Sequence, residues 1–244
     1  ELRFAPQFHT QKGMTQETAI QSALRGLKKS PIPGNLILCC MRGSSNQQEN
    51  METLDLARRY LTEDGGVVAV DLAGAEALFP TESYKNLFAK AKEYNVPFTI
   101  HAGECHSTEN VRTSIEMGAK RIGHGIAMKE DPELMKLAAE RDVGIEMCPC
   151  SNFQTKAVQE GEEYPLALFW EQGLLVTVNT DNRTVSQTSE TRELKMALEL
   201  MEASQKPVED EKTFCRKLME NSIRTAFLPE EEKERLRHIL GKFS

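Results

Sequence analysis

Short apolar runs rich in β-branched residues alternate with amphipathic helical stretches along almost the whole chain, and this alternation leaves few folds open. The runs are ELRFAP (1–6), LILCCMRG (36–43), VVAVDLAG (67–74), PFTIHAGE (97–104), RIGHG (121–125), GIEMCP (144–149) and LVTVNTDN (175–182). Between them, TQETAIQSALRGLKK from Thr15, METLDLARRYL from Met51, SYKNLFAKAKEY from Ser83 and DPELMKLAAER from Asp131 place apolar side chains at i, i+3 and i+4. Strands that are apolar throughout are buried on both faces. They call for a parallel sheet covered by helices, either doubly wound or closed as a (β/α)8 barrel.

The strand ends favour the barrel. Asp71 and Gly74 follow one run, His101 and Glu104 the next, then His124, then Cys148 with Ser151 and Asn152, and finally Asp181 and Asn182. A doubly wound sheet concentrates its chemistry at one switch point beside a Gly-rich turn, and no GxGxxG or Walker-type loop occurs here. Polar residues after strand upon strand suit a barrel, whose strand ends all converge on one mouth. Seven runs are one fewer than a closed barrel needs. The expectation is a single (β/α)8 TIM barrel domain over residues 1–244, with the first strand preceding Glu1 and absent from this chain.

Composition removes several functions. A net charge of −7, with no dense Lys/Arg cluster, gives no electrostatic reason to bind nucleic acid. No apolar stretch approaches the roughly 20 residues of a membrane helix, and the six cysteines lack paired CxxC spacing. A cytoplasmic protein with reduced thiols is expected, and Cys148 and Cys150 read as packing residues.

His101, Glu104, His124 and Asp181 all fall at strand ends that a barrel brings together. Two imidazoles and two carboxylates form the ligand and acid-base set of a hydrolytic metal site. His9 and His106 lie in loop-like surroundings and His238 in a charged helix, where a solvated position is the simpler reading.

VDLAGAE, HAGE, RIGHG, CPCSN and VNTDN, in this order, resemble the successive strand-end motifs of the adenosine deaminase family of zinc hydrolases. The resemblance covers nearly the whole chain. It implies hydrolytic conversion of adenosine to inosine and ammonia in purine salvage, with 2'-deoxyadenosine as a second substrate. It further implies that His101 and Asp181 bind one Zn2+, that Glu104 donates a proton to the purine, and that His124 is a general base or orienting group. Gly74 would contact the purine through its backbone. Other readings are a deaminase of another 6-aminopurine such as adenine, or a non-catalytic barrel remnant that binds purine nucleosides.

Two departures from the family pattern stand out. Asn182 occupies the place of a second aspartate expected to hydrogen-bond purine N7, and an amide donates there at any pH. No His-x-His pair occurs in the chain, so two further zinc ligands are expected from an N-terminal segment or separate chain that completes the barrel.

Overall fold

The computed structural model describes residues 1–62, 65–206, 208 and 210–242. Seven parallel strands follow one another in space as they do in sequence: β1 (Leu2–Phe4), β2 (Leu36–Met41), β3 (Val67–Ala73), β4 (Thr99–Ala102), β5 (Arg121–His124), β6 (Gly144–Met147) and β7 (Leu175–Val178). They form one ladder from β1 to β3 and another from β4 to β7. The Val70–Phe98 bridge and the Val70 N–H, which donates to Pro97 O at 3.0 Å, join the two. The strand positions are those the apolar runs predict.

Helices α1 (Gln16–Leu27), α2 (Gln47–Arg59), α3 (Lys85–Glu93), α4 (Thr108–Met117) and α5 (Pro132–Glu140) fill the crossovers after the first five strands. Short helices α6 (Pro149–Gln154) and α7 (Leu166–Glu171) follow β6, and α8 (Arg183–Ser186) follows β7. The chain then runs through α9 (Glu190–Ala203), α10 (Glu211–Thr225) and α11 (Glu230–Gly241). Side-chain caps begin several of these helices: Thr15, Ser107, Asp131, Ser189 and Asp210 each accept a first-turn N–H. α2 starts four residues before its apolar pattern does. No helix among the described residues is long and apolar enough to cross a membrane.

One buried cluster runs from Leu38 in β2 through Ile100, Ile122 and Ile145 to Val176 in β7, with Phe4 of β1 packed against it. β1 alternates its side chains between solvent and the barrel interior. Leu2 is 59% exposed, whereas Arg3 turns inward. Its guanidinium reaches Asp71 of β3 at 3.3 Å and Glu146 of β6 at 2.8 Å, and Arg121 adds a 2.6 Å contact to Glu146.

β1 and β7 are the outer strands, each paired on one side among the described residues. A cleft of about 1140 Å³ lies at this seam, lined by Glu1 and Arg3 on one side and by Thr177, Asn179, Thr225 and Arg235 on the other. Glu1 bridges part of it, accepting from Phe227 N–H and pairing with Arg121. The ring of strands is therefore open on one side.

Candidate active site

The carboxyl ends of β3 to β7 bring His101, Glu104, His124 and Asp181 to one face. β4 ends at His101 and Ala102 beside Gly123 and His124 of β5, with His101 level with Gly123. A Cβ at Gly123 would lie 3.2 Å from both Cα and Cγ of His101, so the glycine of RIGHG makes room for that ring. The His101 and His124 rings meet edge to face with centroids 5.1 Å apart. His124 (φ 67°) and Asp181 (φ 49°) both adopt left-handed backbone conformations, an uncommon state for non-glycine residues.

Each reactive group is held by a partner. Asp71, buried in β3, approaches His101 Nδ1 at 2.8 Å. A carboxylate only accepts, so Nδ1 carries the proton and the Nε2 lone pair is left open. Burial opposes ionisation of Asp71, but His101 and Arg3 outweigh it and hold the group well below the usual carboxylate range. Burial likewise disfavours the charged form of His101, yet Asp71 raises its pKa overall. Burial lowers the pKa of His124 against the opposing pull of the Glu104 and Asp181 charges.

Asn152 Nδ2 lies 3.0 Å from His124 Nδ1, and Tyr164 donates to Asn152 Oδ1 at 2.9 Å. On the opposite edge of the ring, His124 Nε2 stands 3.7 Å from Glu104 Oε2. Thr155 donates to the other Glu104 oxygen at 2.9 Å. Ser151 donates to Asp181 Oδ2 at 2.7 Å. Asn182 caps α8, its Oδ1 accepting from Val185 N–H at 3.1 Å, so its amide N–H2 carries no hydrogen bond among the described residues. Gly74 is exposed at the end of β3 with φ 104°.

The site residues expected from the sequence thus lie at successive strand ends of one face. Sequence reasoning did not assign roles to Asp71, Ser151, Asn152 or Thr155. The first three stood in the strand-end motifs as a visible signal, whereas Thr155 had none. His9 is exposed in a 3-10 turn against Phe4, and Cys148 and Cys150 are buried free thiols.

The donors fit a metal in kind but not in number. His101 offers an open Nε2 backed by a carboxylate, the arrangement common behind metal-bound histidines. Asp181 keeps one oxygen outside its Ser151 contact. No group of three or more His, Cys, Asp or Glu side chains that could hold a metal occurs among the described residues.

The adenosine deaminase family model matches residues 1–242. The adenosine deaminase of Haemophilus ducreyi is 47% identical over 250 residues, spanning 100% of this chain and 71% of the relative. Among solved structures, the N6-methyl-AMP deaminase of Arabidopsis thaliana superposes with a TM-score of 0.85 at 23% identity, covering 100% of this chain and 72% of its own. A Burkholderia ambifaria amidohydrolase with bound Zn gives a TM-score of 0.73 at 22% identity, covering 93% of this chain and 60% of its own. These two establish the fold, an α/β barrel. Family-model match and sequence identity together assign the chain to the adenosine deaminase family.

Proposed function

We propose that this protein hydrolyses adenosine to inosine, and 2'-deoxyadenosine to 2'-deoxyinosine, releasing ammonia, in cytoplasmic purine salvage. Water adds to C6, the C6–N bond breaks, and the amine leaves as ammonia. The observation that carries this reading is the Glu104 carboxylate, set between Thr155 and His124 on the face that holds His101 and Asp181. It is supported by the family match over residues 1–242.

The side chains divide the work. Thr155 occupies one Glu104 oxygen and leaves the other free to carry a proton to N1 as the ring accepts electrons from C6. His124, with Nδ1 bound by Asn152, presents Nε2–H and acts as an orienting donor toward an oxygen at C6. The Asn182 amide N–H2 donates to N7, which only accepts, and Gly74 lies against the ring through its backbone.

His101 Nε2 and Asp181 would hold one Zn2+, which lowers the pKa of water toward about 7 when bound. Catalytic zinc usually takes three protein ligands. The family resemblance implies two further histidine ligands, which would complete the set.

A substrate panel on the zinc-loaded full-length protein tests the reading. Adenosine and 2'-deoxyadenosine should be turned over and 7-deazaadenosine, which lacks the N7 acceptor, should be poor. Turnover of adenine with none of adenosine would overturn it.

A further inference from the structure

We infer that Glu76 is a positioning residue for Glu104, its carboxylate gathering the His-Ala-Gly-Glu loop into the geometry that proton delivery requires. The inference rests on the deaminase reading above.

Glu76 follows Gly74 in the DLAGAE motif and is only 5% exposed. Its Oε1 accepts from Gly103 N–H at 2.7 Å and from Asn110 Nδ2 at 3.0 Å, while Oε2 accepts from Glu104 N–H at 3.0 Å and Cys105 N–H at 3.1 Å. Three consecutive backbone amides therefore converge on one carboxylate, in a stretch that belongs to no strand or helix. No direct ion pair of Glu76 occurs among the described residues; its hydrogen bonds come from neutral dipoles, with the Arg42 charge acting on it from a greater distance. Burying an anion this way is costly unless all its acceptor sites are used, and here both oxygens are doubly occupied.

Two further contacts fix what surrounds the loop. Asn110 of α4 accepts Thr81 N–H at 2.9 Å while donating to Glu76. Arg42, at the end of β2, donates to His101 O at 2.6 Å, to Phe79 O at 2.7 Å and to Thr81 Oγ1 at 3.0 Å. The backbone of His101 is thus pinned from one side and that of Glu104 from the other. A displacement of about 1 Å at a reacting group can cost on the order of 10²-fold in rate, and this clamp opposes such a displacement.

The test compares Glu76→Gln, Glu104→Gln and the double variant in the zinc-loaded full-length protein, with amide hydrogen exchange at residues 103–105. The glutamine retains one carbonyl oxygen and turns an N–H2 toward amide donors. The expected result is a kcat lower by about 10²-fold with KM within about twofold, and a double variant no slower than Glu104→Gln alone. Exchange at the three amides should be slow in the wild type and faster by about tenfold or more in Glu76→Gln, with the unfolding midpoint little changed. An unaltered kcat, or losses that multiply in the double variant, overturns the inference. If Glu76→Gln does not fold, the wild-type exchange decides: rates like those of open loop amides overturn it. Absence of Glu104-dependent adenosine turnover in the wild type would instead overturn the deaminase reading, leaving exchange to judge the clamp.

Discussion

Asn152 Nδ2 donates to His124 Nδ1 across 3.0 Å, and the Tyr164 hydroxyl donating to Asn152 Oδ1 fixes which way the amide faces. The neutral imidazole therefore carries its proton on Nε2, the nitrogen that faces Glu104 at 3.7 Å. Asn152→Asp would reverse this by placing an acceptor against Nδ1. The expected loss in kcat is about 10²-fold or more, since a misplaced tautomer presents a lone pair where a donor is needed. Nitrogen-15 NMR of the His124 ring should show the proton moved to Nδ1.

Asp71 stands behind His101 as a carboxylate behind a ligand, so Asp71→Asn should weaken zinc binding by about 10–100-fold. Competition against a chromogenic chelator in the full-length protein measures this. Equal affinity in the two proteins would separate Asp71 from the metal site.

Gly123→Ala should disturb His101 through the backbone. The new methyl would sit 3.2 Å from His101 Cα, where no flexible side chain can yield. Overpacking of this kind costs about 1–3 kcal/mol. Thermal unfolding should register that loss, and adenosine turnover should fall more steeply than stability.

Acid should unfold the chain through its interior charges. Burial opposes ionisation of Glu146, yet Arg3 and Arg121 pull its pKa down to about 2, and Asp71 is depressed as well. Both folded pKa values lie below the unfolded ones, so the unfolded state binds more protons. The stabilisation is complete above about pH 4–5 and is lost as pH falls toward 2. Arg3→Met should cost about 3 kcal/mol at pH 7 by leaving buried carboxylates uncompensated. That figure is taken at the low end because the Arg3 side chain remains 27% exposed. It should also flatten the loss of stability on acidification. Urea unfolding at pH 7 and pH 3 reads both effects.

The periodicity of apolar residues carried the seven strands and the helices α1, α2, α3 and α5 between them, because burial on both faces leaves a continuous apolar run that survives in sequence; α4, α6 and α7 were not read from it. The strand-end motifs likewise carried His101, Glu104, His124 and Asp181. The partners of those groups were less visible: Thr155 and Glu104 are 51 residues apart and Asn152 and His124 are 28 apart, brought together only by the barrel's curvature. Arg3 carried no signal of its role in the sequence, because its partners Asp71 and Glu146 lie on distant strands and only the barrel interior brings the three together, leaving Leu2 outside. The start of α2 was hidden by its first turn, Gln47 to Asn50, which is polar and offers no periodic signal.

Formation of inosine from adenosine by the zinc-loaded full-length protein, measured beside Glu104→Gln with the zinc content of both, is the most direct test of the proposed activity. One zinc per chain in each protein, with turnover reduced by about 10³-fold in the variant, is the predicted result. Zinc-loaded protein that forms no inosine, or a variant as fast as the wild type, would contradict it.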